Sequence, residues 1–253
     1  AVLLGLVFTV IGVQYPVAAF RAASSPTLGT AESFAVLAGT AITNVPTSSI
    51  SGDVGLSPAA GSNYTGLTAA QVTGTIYAVD ATGPAGSANN PGLLTTAKTD
   101  LVSAYDALSA GANAACTVNY GAIVKDLIGL TLVPGVYCAD AFTLSGTLTL
   151  NDTENADGVW IFRAELSTLI TSAGGVAKVQ FLNGIGSSCN VWWKVASSAT
   201  LNTGTAFIGN ILALTSISLK SGSSLAGRAL ARNAAVTLES NTISRICAAA
   251  PPP

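Results

Sequence analysis

A repeat near the C-terminal end restricts the fold more than any other feature of this chain. ATLNTGTAFIGNILAL at 199–214 aligns with ISLKSGSSLAGRALAR at 217–232 at a step of 18, and VTLESNTIS at 236–244 follows at a step of 19. The alignment stacks Leu201 on Leu219 and Leu238, Phe207 on Leu225, and Gly209 on Gly227. It also stacks Gly204, Gly222 and Asn241, residue types that tolerate a left-handed backbone at a turn. Biased composition accounts for shared hydroxyls but not for turn residues in register. Strand-sized apolar ladders punctuated at fixed offsets describe coils stacked as a parallel β-solenoid.

Neighbouring coils of such a stack lie about 4.8 Å apart, so every outward position becomes a straight row. Strand alternation turns Thr200 and Asn202, Ser218 and Lys220, and Thr237 and Glu239 outward beside the inward leucines. Together with Thr203, Ser221 and Ser240 in the turns, the uncharged members of these rows are the candidate surface-binding residues. A regular row of hydroxyls orders water or docks a periodic solid. Lys220 and Glu239 work against an ordered layer unless they pair across the ladder.

From 30 to 74 the pattern is short apolar runs broken by Gly, Pro and Asn, and 81–92 is a loop by composition. The period then changes: Leu93, Ala97, Leu101, Ala104, Tyr105 and Leu108 fall on one face at spacings of three and four, which predicts a helix over about 93–110 stopped by Gly111. One amphipathic helix does not fold alone, so it lies along the solenoid and covers one of its faces. After it the strands return. The expected organisation is an apolar N-terminal segment at 1–25, one solenoid domain at 26–248, and a Pro-rich tail at 249–253.

Charge and chemistry narrow the function. Only 9% of residues are charged, ten basic and twelve acidic, so no basic field exists for a nucleic acid backbone. Histidine is absent, which removes the commonest general base and metal ligand. We expect no catalytic residues, no metal and no cofactor. Asp152, Glu154 and Asp157 form the one acidic cluster, and NDTENADG at 151–158 has the composition of a polar turn. Trp192 and Trp193 must point to opposite sides of their strand; the outward ring either stacks on a sugar or lies under the helix or a terminal segment. Arg228 and Arg232 are expected to pair with local carboxylates or cap carbonyls. The four cysteines are widely spaced and are read as two disulfides, Cys116 to Cys138 and Cys189 to Cys247, which places the chain in an oxidising compartment, secreted or at the cell surface.

Residues 1–20, AVLLGLVFTVIGVQYPVAAF, are apolar and uncharged. By composition they resemble a secretory signal or a membrane anchor, although no basic region precedes them. Gly5, Gly12 and Pro16 weaken a straight membrane helix, while the β-branched content suits a strand that joins subunits. In that second case Val7, Phe8, Val10, Ile11, Val13 and Tyr15 are the assembly contacts.

Taken in order, AESFAVLAGTAITNVPTSSISGDVGLSPA, QVTGTIYA at 71–78, the helical stretch, LTLVPGVYC at 130–138, GVWIFRAE at 158–165 and GNILALTSISLKSGSSLAGRALARNAAVTL at 209–238 resemble the ice-binding proteins of the irregular β-solenoid type found in cold-adapted fungi, diatoms and bacteria. The likeness spans about 32–247. It implies a mainly β, right-handed parallel solenoid of triangular section, a discontinuous β-helix whose N- and C-terminal coils pack together, with the long helix along one face. It also implies a non-enzymatic, extracellular protein that adsorbs to ice, or to another solid or cell surface, through a flat uncovered face. Two other expectations stand beside it: a structural subunit of a filament or surface layer joined through residues 1–20, and a carbohydrate-binding adhesin.

Overall fold

The computed structural model describes residues 22–45, 48–152 and 157–245. The expectations for residues 1–21, for Glu154, for Cys247 and its pairing with Cys189, and for the tail at 249–253 lie outside the described residues.

Short aliphatic and β-branched runs between Gly, Pro and Asn give strands of two to eight residues, each long enough to lay one side of a coil. Before the helix come β1 (Phe34–Ala38), β2 (Ile42–Val45), β3 (Ser49–Ser51), β4 (Asp53–Leu56), β5 (Tyr64–Thr65), β6 (Val72–Thr73), β7 (Ile76–Ala78) and β8 (Ala88–Asn89). The helix is α1 (Pro91–Ala107). After it come β9 (Val118–Asn119), β10 (Val124–Asp126), β11 (Thr131–Leu132), β12 (Gly135–Ala139), β13 (Ala141–Leu144), β14 (Thr147–Leu150), β15 (Trp160–Ala164), β16 (Leu169–Thr171) and β17 (Lys178–Phe181). The last coils hold β18 (Val191–Val195), β19 (Ala199–Leu201), β20 (Ala206–Ala213), β21 (Ile217–Leu219), β22 (Ser224–Ala231), β23 (Val236–Glu239) and β24 (Thr242–Ser244).

All pairings between these strands are parallel, and they form three faces. One face runs β8-β7-β4-β1-β22-β20-β18-β15-β12-β9, and a second runs β10-β13-β16-β19-β21-β23-β2-β5. The third carries β11, β14 and β17, the first halves of β20 and β22, then β24, β3 and β6. Strands β20 and β22 turn from the third face onto the first at Gly209 and Gly227, whose φ of 115° and 149° suit glycine. The chain does not wind from one end to the other. Its first coils form one end, α1 carries it past them to the far end, and later coils progress back until β22 pairs with β1, β23 with β2 and β24 with β3. The fold is therefore a mainly β parallel solenoid with one α-helix among the described residues, as the sequence implies.

The predicted ladders are in register: Leu201, Leu219 and Leu238 are neighbours, as are Phe207 with Leu225 and Gly209 with Gly227. The turn ladder needs a correction. Gly204 and Gly222 are left-handed, but in the next coil Ser240 takes that conformation at φ 53°, not Asn241. That turn is one residue shorter, which moves Asn241 inward. There its amide donates to the carbonyls of Lys220 at 2.9 Å and Ser223 at 3.2 Å, and its backbone N–H donates to Ser48 Oγ at 3.0 Å.

Rings stack up the axis: Tyr137 on Phe162 at 5.4 Å, Phe162 on Trp193 at 4.1 Å, and Trp193 on Phe207 at 4.8 Å between centroids. These separations match the coil spacing, so each ring fills the floor of the next coil.

Helix α1 starts two residues before the predicted boundary. Asn90 caps it by accepting from the Leu93 N–H at 3.1 Å, and Pro91 has no N–H to satisfy. It ends at Ala107, and Gly111 opens the following turn instead of stopping the helix. Its buried stripe is Leu94, Ala97, Leu101, Ala104 and Tyr105, followed by Leu108; Leu93 is only partly buried. The stripe packs on Phe34 and Leu37 of β1, Leu230 of β22, Leu212 of β20, Trp192 of β18, Ile161 of β15 and Cys138 of β12. Six adjacent coils thus lie under one helix. Lys98 Nζ donates to the carbonyls of Ala231 at 2.9 Å and Arg232 at 2.5 Å. Cys116 and Cys138 form a disulfide that ties the chain leaving the helix to β12.

Phe162→Ala opens the middle of the ring stack and should cost about 3–5 kcal/mol, read as a shifted urea midpoint. Burial, with Arg232 beside it, pushes the Lys98 amine down to about 8 from the ordinary 10.5. Between those values the folded protein binds fewer protons than the unfolded chain, so stability should rise with pH across that window. Lys98→Met should flatten the rise in urea midpoints measured at pH 8 and pH 10.

Candidate functional site

Helix α1 and residues 22–28 take the first face from β1 to β12 out of contact with solvent. Trp192, the outward ring of its pair, is buried there and donates through Nε1 to Ser25 Oγ at 3.0 Å. Trp193 is in the core, its Nε1 donating to the Ile208 carbonyl at 2.9 Å. Neither ring is open to a sugar, and the expected outward stacking platform is the covered one.

Among the described residues nothing covers the eight-stranded face. Its register places Thr200 beside Ser218 and Ser218 beside Thr237, as predicted. The row continues beyond the repeat. Ile170 and Thr143 precede Thr200, and Thr43 and Thr65 follow Thr237. Seven consecutive coils thus present Thr, Ile, Thr, Ser, Thr, Thr and Thr in line. Asp126 closes the row at the β10 end. Burial acts to raise its carboxyl, but hydrogen bonds from the Ser145 hydroxyl and nearby backbone N–H groups outweigh this and hold it below the usual range.

The register beneath the row is apolar, Phe142, Leu169, Ala199, Ile217, Val236 and Ile42, all buried. A packed layer fixes each strand, and a β-branched threonine has little χ1 freedom of its own. The outward atoms therefore stand on a rigid sheet.

The remaining candidates differ in their setting. Asn202 does not project freely: its Nδ2 donates to the Thr171 carbonyl at 2.5 Å and its N–H to Thr171 Oγ1 at 2.8 Å. Thr203 and Ser221 are exposed in the turns between the eight-stranded and third faces, and Ser240 is half-buried there. Lys220 and Glu239 pair at 2.8 Å, so these two charges satisfy each other across adjacent coils. Thr43, Thr65, Thr143 and Ile170 were not among the expected residues. Ala41-Ile42-Thr43 repeats the pattern of Ala235-Val236-Thr237, the one local signal that identifies Thr43.

Nor do the described residues cover the third face. Its outward residues include Thr147, Lys178, Ala206, Ser224, Thr242 and Ser49 in one row. It is indented: a depression of about 280 Å³ is lined by Ile208, Ser224, Ala226, Thr242 and Ser244, among others.

Other chemistry is accounted for locally. Asp152 accepts from the Gly158 N–H at 2.6 Å and holds the turn. Arg228 donates to the Glu32 carbonyl at 3.0 Å and Asn210 Oδ1 at 2.8 Å, and Arg232 pairs with Asp106 at 3.5 Å. Among the described residues one group offers three close metal-ligand atoms, Cys116, Cys138 and Glu165. Its two sulfurs are committed to the disulfide and its carboxylate pairs with Arg163.

Comparison with known proteins agrees with this architecture. Residues 36–244 match the family model described as ice-binding-like. An ice-binding protein of Nostoc sp. (strain HG1) is 39% identical over 229 residues, covering 90% of this chain and 77% of that protein. One of Colwellia sp. is 38% identical over 219 residues, covering 86% and 82%. Among solved structures, the domain of Shewanella frigidimarina ice-binding protein 1 superposes with a TM-score of 0.74 at 31% identity, covering 88% of this chain and 98% of that one. A glycosylated ice-binding protein from an Arctic yeast gives 0.74 at 32%, covering 90% and 97%. With the solenoid, the single helix along one face and the sequence likeness all in agreement, this chain belongs to the ice-binding-like family.

Proposed function

We propose that this protein adsorbs to ice through its eight-stranded face, without catalysis and outside the cell. The observation that carries the reading is the row from Thr143 to Thr65, which repeats at the coil spacing over seven strands and spans roughly 30 Å. Each threonine offers a methyl and a hydroxyl, so water held over the row is caged by the first and anchored by the second. A solid is bound by many weak contacts made at once, and a rigid row loses little conformational entropy when it makes them. Lys220 and Glu239 neutralise each other, Asp126 at the end of the row is tied down by hydrogen bonds from Ser145, and the depression in the third face makes it a poorer match to a flat crystal.

Within this reading Thr200, Ser218 and Thr237 are the contact residues, extended by Thr43, Thr65 and Thr143. Thr203, Ser221 and Ser240 border the surface, and Asn202 supports it through Thr171. The Cys116–Cys138 disulfide supports an oxidising, extracellular setting. No helix among the described residues is long and apolar enough to cross a membrane.

Thermal hysteresis and crystal shaping test the proposal. Thr237→Tyr and Ser218→Tyr put a bulky ring on the row and should abolish most of the hysteresis while leaving the melting temperature unchanged. Ser244→Tyr, on the third face, should keep it. Ice that grows unmodified in a concentrated solution of the unsubstituted protein would sink the reading.

A further inference from the structure

The two ends of the solenoid are built differently. At one end β5, β6 and β8 are backed by polar loops. Asp80 accepts from the N–H of Gly61 at 3.1 Å and of Thr82 at 2.9 Å, and the Asn44 amide donates to Gln71 Oε1 at 2.9 Å. The other end is the coil of β9, β10 and β11. Each of these strands pairs with one neighbour only among the described residues, so one edge of the coil presents its N–H and C=O groups without a strand partner there. The same coil exposes Val118, Ile123, Val124, Ile128 and Val133, with Val124 63% exposed. Among the described residues every exposed large apolar side chain falls between 118 and 185, and five of them, at 118–133, belong to this coil.

We infer that this open end is an interface for a second copy of the same chain, joined end to end about a two-fold axis. Three edge strands wrapped around one coil can all be paired only by a partner with an edge of the same shape. A two-fold axis normal to the eight-stranded face reverses strand direction across the joint, so β10 meets its own copy antiparallel and β9 meets the partner's β11. Charge does not oppose the contact. Lys125 lies over the Tyr120 ring at 4.9 Å, and Asp126 is held by Ser145 and the Ile128 N–H. A two-fold joint uses the same edge on both copies and so consumes it, which closes the assembly at two copies. In that arrangement the hydroxyl rows of the two copies lie end to end on one surface.

The dimer does not rest on ice adsorption, and its test is independent of it. Sedimentation velocity on the full chain should show a monomer–dimer equilibrium, with amides of 118–133 gaining protection from hydrogen exchange as concentration rises. Val124→Lys with Ile128→Lys should give a monomer with an unchanged melt, and Val133→Lys serves if that pair disturbs folding. A monomer up to the solubility limit, or a dimer indifferent to the lysines, overturns the inference. So does concentration-independent protection of 118–133 in a monomer. That result would assign the end to the chain's own residues 1–21, which enter at Ala22 and Ala23 beside Thr117 and Pro134.

Discussion

The structure depends on a seam at which strands distant in sequence lie side by side. Strand β1 pairs with β22, β2 with β23 and β3 with β24, so all three faces cross the seam. Partners such as Val36 and Ala229 are about as far apart in sequence as two residues of this chain can be in its core. The entropy of closing that loop is met only when the inward ladders on both sides become continuous. Ile42 then completes the apolar register begun at Phe142, and Thr43 completes the outward row. Core and surface are therefore made by the same event, and a fold so rich in non-local parallel pairs is expected to form slowly.

Legibility in the sequence followed the regularity of the coils. The last three coils keep a step of 18 or 19 residues, so their ladders, their outward Thr200, Ser218 and Thr237, and the corner glycines could be placed without coordinates. The first coils carry loops of different lengths between β4 and β5 and between β7 and β8, which erase any fixed step. Thr65 was invisible for that reason and Thr43 had only the short Ala-Ile-Thr match to mark it, although both belong to the same row. The helix showed because its period differs from everything around it, and its ends did not, because Asn90 and Pro91 set them locally. The left-handed conformation of Ser240 was missed because one deleted residue moves that position, a change that alignment by residue type cannot detect.

Scarcity of charge is matched by its placement. Arg163, Lys194, Arg228 and Arg232 face the covered side, and Lys98 meets them from the helix. There they bond the carbonyls of Asn113, Glu32, Ala231 and Arg232, the hydroxyl of Ser109, or lie against the Tyr105 ring. Burial, with Arg245 nearby, pushes the Arg228 guanidinium down to about 10, a measure of how far it has been withdrawn from water. Cations used to fasten the helix are cations absent from the open faces. The smooth, hydroxyl-rich exterior and the strapped interior face are two results of one distribution.

The helix also works as a ruler. Its seventeen residues measure about 25 Å, and the six coils beneath it span five intervals of about 4.8 Å, close to the same length. A coil inserted between β12 and β22 would push the far end beyond its reach unless α1 gained about three residues, nearly one turn. Lengthening the adsorbing surface is thus a coupled change: neither a duplicated coil nor a longer helix is tolerated alone, and the size of the exposed row is set by a segment on the opposite side of the molecule.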